Sequence, residues 1–135
     1  MKGFNRHEDY ATVGCAIPFQ LMVQDMDLMQ EMNANAVRTC HYPNDERFLD
    51  LCDERGMYVW EENHARGFGL ERMQNPNFDV QCRDCIDEMI GNHFNHPSII
   101  IWGILNECAS ETEEGREKYA RQYAQIRSLD SSRPT

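Results

Sequence analysis

The chain has 135 residues, with 13 basic against 23 acidic side chains and a formal net charge of −10. That length fits one domain and is enough for a hydrophobic core, and 41% hydrophobic residues argue against intrinsic disorder. The acidic balance excludes nucleic acid and anionic membranes as expected partners, because phosphate groups would be repelled. No run of residues approaches the roughly 20 apolar residues that span a bilayer.

Four strand-like segments alternate with four helical ones along the chain. The strands are predicted at residues 3–7, 36–41, 57–60 and 99–105. Met22, Met26 and Met29 recur at helical spacing in the first helical segment, which predicts that they share a buried face. Gly56 is expected to end the second helix in a left-handed conformation. The alternation is typical of an α/β fold with a parallel sheet.

Capping residues predict where three of the helices begin. Asn44 is expected to cap the second helix, and Asn75-Pro76 is a good cap and first-turn pair for the third. Ser110 and Glu113 are expected to form a capping box for the last helix. The apolar face expected for this last helix consists of Tyr119, Tyr123 and Ile126.

Six cysteines occur, at positions 15, 40, 52, 82, 85 and 108. Only Cys82 and Cys85 form a C-x-x-C pair, and no second pair stands at zinc-site spacing. The first residues carry no apolar signal-peptide core. We therefore expect the cysteines to be small core residues of a protein in a reducing compartment, which predicts a cytoplasmic location. No metal site and no cofactor are expected.

Polar side chains cluster directly after every predicted strand. They are Asn5, Arg6 and His7; Arg38 and His41; Glu61, Glu62 and His64; and Asn106 and Glu107. Two architectures compete, a small open doubly wound domain and a piece of a (β/α)8 barrel, of which this length is about half. An open sheet gathers ligand groups at one switch point, whereas barrel enzymes collect them at many strand ends. The clusters favour a half barrel of about four βα units.

Glu107 follows the most apolar strand of the chain. Apolar walls would partly desolvate its carboxyl group and raise its pKa, which suits a proton donor near neutral pH. The competing interpretation is an exposed glutamate that enters an acidic loop. Arg38 lies in an apolar strand and needs a carboxylate from Glu61 or Glu62, as a structural ion pair or in a catalytic role. His93 and His96 are interpreted as structural, and Trp60 and Trp102 as core residues rather than sugar platforms.

Several segments, in order along nearly the whole chain, resemble the catalytic barrel of glycoside hydrolase family 2. They are GFNRHED at 3–9, NAVRTCHYP at 35–43, DERGMYV at 53–59, NHPSIIIW at 95–102 and the pair Asn106-Glu107. This family includes β-galactosidases, β-glucuronidases and β-mannosidases. The resemblance implies that residues 1–135 are the N-terminal half of a (β/α)8 barrel. It also implies retaining hydrolysis of terminal β-galactosides or β-glucuronides, with a carbohydrate as the substrate.

By that resemblance Glu107 would be the general acid/base, and Asn106 would hold the sugar 2-hydroxyl. The substrate-binding residues would be His7, Asp9, Arg38 and His41. A retaining mechanism needs a second carboxylate about 5 Å from the first as nucleophile. In the family this glutamate comes from a later strand, so we expect the isolated chain to be inactive. The third-strand ending departs from that of metal-dependent β-galactosidases, so no magnesium site is transferred.

Two other functions remain open on the sequence. One is a non-catalytic carbohydrate-binding α/β module that uses Trp60 and Trp102 as platforms, and the other is a domain whose polar strand ends are only solvated. A half barrel also leaves the flanks of its first and last strands exposed, near Phe4 and Ile100. We therefore expect a homo-oligomer joined through these strand edges.

Overall fold

A computed structural model describes all residues, 1–135, as four strands and five helices. The strands are β1 (Gly3–Arg6), β2 (Ala36–Thr39), β3 (Tyr58–Glu62) and β4 (Ile99–Gly103). The helices are α1 (Phe19–Glu31), α2 (Glu46–Arg55), α3 (Leu70–Met73), α4 (Phe78–His93) and α5 (Glu113–Leu129). All strand pairs are parallel, in the order β1-β2-β3-β4. The predicted α/β alternation is confirmed.

The helices cover only one face of this sheet. Because parallel crossovers are right-handed, a sequential strand order brings every helix to the same side. Val37 and Val59 point to that side and are buried, whereas Tyr58 and Trp60 point to the other face and are 47% and 41% exposed. A doubly wound domain would have helices on both faces, so the one-sided covering matches a barrel segment.

The core between sheet and helices contains the predicted methionine face. Met22, Met26 and Met29 are buried in one cluster with Phe48 of α2 and Trp102 of β4. Full burial of such side chains stabilises the fold by about 1.5–3 kcal/mol each. Of the two tryptophans expected in the core, only Trp102 lies there.

The strand ends differ from those predicted. β3 runs two residues beyond Trp60, because Glu61 and Glu62 stay paired with Trp102 and Gly103 of β4. β1, β2 and β4 end earlier than predicted, at Arg6, Thr39 and Gly103. A Cβ atom on Gly103 would lie 2.4 Å from Trp60 Nε1 and 2.7 Å from Glu62 Cγ. Glycine at this position therefore lets both side chains pack against β4.

Two of the predicted caps are replaced by neighbouring residues. Asp45, not Asn44, caps α2 by accepting from the Arg47 amide at 2.9 Å. Thr112 caps α5 by accepting from a backbone amide in its first turn, so the capping box of Ser110 does not form. Gly56 does end α2 with a φ of 68°, as predicted.

The segment after β3 and the burial of α5 also differ from expectation. The short helix α3 was not predicted, and α4 begins at Phe78 rather than directly after Asn75-Pro76. On α5, Tyr119 and Ile126 are buried as predicted, but Tyr123 is exposed and Gln122 is buried instead.

All six cysteines are free thiols, and four of them are buried as predicted. Cys15 is exposed and Cys85 is partly exposed, so the core interpretation is wrong for Cys15. None of the helices has the length and apolar character needed to cross a membrane.

Candidate active site

The buried carboxylate of Glu62 holds two residues at the end of β2. It accepts from Arg38 Nε with one oxygen, and its other oxygen lies 2.8 Å from His41 Nδ1. Arg38 Nη2 in turn donates to Asn106 Oδ1 at 2.9 Å, which brings in the segment after β4. We call Arg38, His41, Glu62 and Asn106 the strand-end network.

Strand geometry explains why Glu62 rather than Glu61 meets Arg38. Successive side chains of a strand point to opposite faces, and Arg38 pairs in register with Trp60. Glu62 lies two residues further along β3 and shares the open face with Trp60. The Arg38 guanidinium carbon also lies 5.2 Å from the Trp60 ring centre, a cation–π contact.

These hydrogen bonds decide which polar atoms remain available in the strand-end network. A carboxylate only accepts hydrogen bonds, so His41 donates from Nδ1 to Glu62 and, as a neutral ring, keeps Nε2 as an acceptor. The Oδ1 atom of Asn106 is occupied by Arg38, which leaves its Nδ2 group free to donate. With a neutral His41 ring, the network therefore presents His41 Nε2 as an acceptor, and Asn106 Nδ2 and the remaining guanidinium hydrogens of Arg38 as donors.

Glu107 directly follows this network, and its side chain is exposed. Its φ of 51° lies in the left-handed region, which costs a residue other than glycine of order 1–3 kcal/mol and is typical of functional sites. The expected desolvation of its carboxyl group is wrong for this chain, because the face of the four-stranded sheet toward which the site opens carries no covering layer.

His7 and Asp9 follow β1 at the same end of the sheet. The His7 ring lies edge-on to the His41 ring, with centroids 5.2 Å apart. Asp9 is exposed and lies beside His7 in a shallow groove along β1 and α1 rather than in contact with the strand-end network. The structure thus brings together His7, Arg38, His41 and Asn106, and leaves Asp9 at the edge.

The sequence of the chain matches one protein family over its full extent. The family is described as "Glycosyl hydrolases family 2, TIM barrel domain", and the match covers residues 1–135. The chain belongs to glycoside hydrolase family 2. The predicted family and the predicted fold, part of a (β/α)8 barrel with four parallel strands, are both confirmed.

Relatives of this family 2 chain are named as glycosidases. It is 36% identical over 138 residues to a β-galactosidase of Lactococcus lactis subsp. lactis (strain IL1403), a match that covers 99% of the chain and 13% of that protein. A crystal structure of a family 2 β-galacturonidase from Eisenbergiella tayi, bound to galacturonate, is 63% identical with a TM-score of 0.95. That match covers 97% of the chain and 24% of the galacturonidase.

A β-D-glucuronidase of Dictyoglomus thermophilum is also similar in structure. It is 32% identical with a TM-score of 0.91, and the match covers 98% of the chain and 25% of the glucuronidase. The family 2 chain described here therefore spans a quarter or less of the length of these three relatives.

Arg66, which no motif in the sequence indicated, lies beside Asn106 of the strand-end network. It forms a parallel bridge with Asn106, and the amide of Gly67 donates to the Asn106 carbonyl oxygen at 2.8 Å. Its exposed guanidinium lies 5.0 Å from the Tyr42 ring centre and has no ion-pair partner in the chain. No sequence signal marked it, because it follows β3 beyond the predicted strand end.

Tyr42 and Glu8 were also missed, and they connect the loops after β1 and β2. The Tyr42 hydroxyl oxygen accepts from the Glu8 amide at 3.0 Å, and the Glu8 carboxylate accepts from the Asp45 amide at 3.1 Å. Burial raises the pKa of Glu8, against the opposing effect of that hydrogen bond from Asp45. These contacts hold His7 near the strand-end network.

Behind the sheet, a second set of polar residues lies among the helices. Arg6, which was expected at the open end, is buried there and bonds Asp25 Oδ2 at 2.9 Å and Asn44 Oδ1 at 3.2 Å. Its guanidinium also stacks on Phe48 at 4.0 Å. Asn5 pairs in register with Arg38 of the open face. Because successive side chains of a strand point to opposite faces, the next residue, Arg6, points to the helices.

Glu61 and His93 form another buried polar contact on the helix side. His93 Nδ1 lies 2.9 Å from Glu61 Oε1. Desolvation lowers the pKa of His93, but the hydrogen bond and the charge of Glu61 outweigh it, so the pKa is raised. His96 likewise bonds Asp53 Oδ2 at 2.7 Å, between β4 and α2. Both histidines hold helices to the sheet, in agreement with their structural interpretation.

Proposed function

We propose that this chain supplies the acid/base half of the active site of a retaining exo-β-glycosidase. The observation that carries the proposal is the strand-end network, in which buried Glu62 orients Arg38 and His41, and Arg38 orients Asn106 beside Glu107. Barrel enzymes build their sites from such strand ends. The names of the relatives, which are all glycosidases, support the same reaction class.

In this proposal Glu107 is the general acid/base. It protonates the glycosidic oxygen as the leaving group departs and then removes a proton from the water that hydrolyses the glycosyl-enzyme intermediate. The second carboxylate, about 5 Å away, acts as nucleophile and comes from another part of the barrel. The free Nδ2 group of Asn106 donates to the sugar 2-hydroxyl, since its Oδ1 is occupied by Arg38.

The remaining strand-end residues bind the sugar. Nε2 of His41 accepts from a hydroxyl group, because its Nδ1 is committed to Glu62. His7 and the exposed carboxylate of Asp9 offer further partners for hydroxyl groups along β1. Arg38 contributes its remaining guanidinium hydrogens.

Among the glycosides, we propose a β-hexuronide as substrate, with a β-galacturonide favoured over a β-glucuronide or β-galactoside. The identity of 63% to a β-galacturonidase is well above the 32% to a β-glucuronidase and the 36% to a β-galactosidase. Arg66 adds a guanidinium without a carboxylate partner beside Asn106. Guanidinium groups pair with carboxylates through two parallel hydrogen bonds, which suits the carboxylate of a hexuronate.

The alternative of a carbohydrate-binding module with two tryptophan platforms is less well supported. Trp102 is fully buried in the core and its Nε1 donates to Asp130 at 2.8 Å, so only Trp60 is accessible.

Substitution of Glu107 in the full-length enzyme tests the acid/base role. Glu107→Gln should lower the hydrolysis of glycosides with poor leaving groups by about 10²–10⁴-fold. Activated aryl glycosides need little protonation and should lose much less, and added azide should restore their turnover. Glu111→Gln, an exposed glutamate in the same loop, is the matched control. Equal losses on both substrate types without azide rescue would contradict the proposal.

A further inference from the structure

We propose that His7, Cys40 and His41 form a binding site for a soft divalent metal ion such as Zn²⁺, which competes with the sugar. One ligand atom from each of the three residues lies within 4.8 Å of the other two. The site lies where β1 and β2 end, and Cys40 is a fully buried free thiol. The competition rests on the proposed sugar-binding roles of the two histidines, whereas the metal site itself does not.

The donor set selects the class of metal. Imidazole nitrogen and thiolate sulfur are the preferred ligands of Zn²⁺, at about 2.0–2.3 Å, in contrast to the oxygen ligands that Mg²⁺ and Ca²⁺ require. Such bond lengths place neighbouring ligand atoms roughly 3.5 Å apart in a tetrahedron. His7 can supply the necessary approach by rotation, because it is exposed and its side chain makes no hydrogen bond.

The Glu62 carboxylate is the second observation that points to a metal ligand. Histidines that bind metals usually donate their other ring nitrogen to a carboxylate, which fixes the tautomer and raises the basicity of the ligating nitrogen. His41 has this arrangement, with Nδ1 2.8 Å from Glu62 Oε2 and with Nε2 left unprotonated in the neutral ring. Three protein ligands leave the fourth position of a tetrahedral ion open to water.

A second cluster, Asp50, Asp53 and His96, provides an internal comparison. Its donor atoms also lie within 4.8 Å of one another, but it contains no thiol. His96 Nδ1 is already bound to Asp53 at 2.7 Å, and the other oxygen of Asp53 accepts from the Ser98 amide at 2.9 Å. These hydrogen bonds attach α2 to the start of β4, so His96 Nδ1 and the Asp53 carboxylate already have partners without an ion.

Cobalt spectroscopy of the full-length enzyme separates the two clusters, because only a thiolate ligand gives sulfur-to-cobalt charge-transfer absorption. We expect Co²⁺ to produce this band in the wild type and Zn²⁺ to abolish it by displacement. Cys40→Ser should remove the band and weaken Zn²⁺ binding, measured by calorimetry, by more than about tenfold. Cys15→Ser and Asp50→Asn should keep both the band and the affinity.

Glu62→Gln is a second variant that leaves all three ligands in place. It should keep the cobalt band but weaken Zn²⁺ binding by about 10–100-fold, the usual effect of losing the carboxylate behind a metal-bound histidine. Absence of the band in the wild type, or its persistence in Cys40→Ser, would overturn the metal site.

Kinetics then test the competition with the sugar. Zn²⁺ should raise KM without lowering kcat, a chelator should reverse the effect, and Cys40→Ser should be markedly less sensitive. If Zn²⁺ binds through Cys40 but leaves KM unchanged, the metal site stands and the proposed sugar-binding roles of His7 and His41 fail.

Discussion

Glu61 and Glu62 are consecutive residues of β3, and their carboxylates serve opposite faces of the sheet. Glu61 bonds His93 among the helices, whereas Glu62 bonds Arg38 and His41 on the open face. Both side chains are fully buried. A buried carboxylate is costly unless it is paired, so each glutamate depends on its own set of partners. Removal of one should affect the active site, and removal of the other should affect stability.

Glu62→Gln in the full-length enzyme should lower kcat/KM. The neutral amide cannot form the charged hydrogen bond that the carboxylate accepts from Arg38, which is worth about 1.5–3 kcal/mol. A free-energy difference of about 1.4 kcal/mol corresponds to a factor of ten. We therefore expect a loss of roughly 10–150-fold in steady-state assays on an aryl β-glycoside. Glu54→Gln, an exposed glutamate of α2, should leave kcat/KM unchanged. An unaltered kcat/KM in Glu62→Gln would show that the network does not position the site.

The pair of Glu61 and His93 should make stability depend on pH above neutrality. The pKa of His93 is raised in the folded chain, so its contribution is fully present below the unfolded value of about 6.5. This contribution is lost as the pH rises through the higher folded-state pKa. Urea unfolding of the chain at several pH values should show the advantage of wild type over His93→Gln shrinking as the pH rises above about 6.5.

His64 provides a control of opposite sign. Burial lowers its pKa, so the unfolded state binds more protons and stability falls as the pH drops below the unfolded value of about 6.5. His64→Gln should remove this acid-side loss and leave the dependence above neutrality intact. A wild-type stability that is flat across both windows would contradict both assignments.

The elements that could be predicted are those with a local sequence signal. The methionine spacing of α1 and the αL end of α2 at Gly56 depend on residues close in sequence, and both are confirmed. The pairing of Glu61 with His93 joins residues 32 positions apart, and no local pattern contains it. Likewise, asparagine is a common N-cap residue, but the side-chain oxygen of Asn44 accepts a hydrogen bond from Arg6 of β1 instead of capping α2.

The candidate site was predictable in its location but not in its connections. Polar residues after each strand indicated one end of a barrel, and Arg38 in an apolar strand indicated a carboxylate partner. Side chains alternate between the two faces along β3, and this alternation makes Glu62 rather than Glu61 the partner of Arg38. The predicted strand ended at Trp60, so the alternation could not be extended to the two glutamates. Arg66 was missed for the same reason, because its place beside Asn106 depends on the extension of pairing beyond β3.

Gly103→Ala should destabilise the chain. Its Cβ atom would lie 2.4 Å from Trp60 Nε1 and 2.7 Å from Glu62 Cγ, and such overpacking costs about 1–3 kcal/mol. Gly91→Ala is the control, since its Cβ would meet nothing within 4 Å and alanine favours a helix interior by about 0.5–1 kcal/mol. Denaturant unfolding should therefore give shifts of opposite sign, and equal shifts would contradict the close packing at β4.

Arg66→Gln in the full-length enzyme should change the choice of substrate. If the Arg66 guanidinium binds a hexuronate carboxylate, the substitution removes a charged hydrogen bond worth about 1.5–3 kcal/mol. We therefore expect kcat/KM on aryl β-galacturonide to fall by roughly 10–150-fold. The low activity expected on aryl β-galactoside, which lacks the carboxylate, should stay the same. Arg72→Gln, an exposed arginine of α3, is the control. Equal losses on both substrates would argue for a general role in the site.

The isolated 135-residue chain should associate through its sheet. β1 and β4 are the outer strands, and the edge of β4 is partly occupied because the Trp102 amide donates to the Pro134 carbonyl at 3.0 Å. The edge of β1 is free, and the open face exposes Tyr58 and Trp60. Unpaired strand edges beside exposed apolar side chains favour pairing with a second copy.

Light scattering at micromolar concentration should therefore report a homodimer or larger species, with the helices outside. Tyr58→Glu puts a charge on the open face and should shift the chain toward the monomer. Tyr123→Glu, an equally exposed tyrosine on α5, should leave association unchanged because it lies on the helix side. A folded wild-type monomer that binds no dye for exposed apolar surface would contradict association through the sheet, because the open face would then be stable in water without a partner.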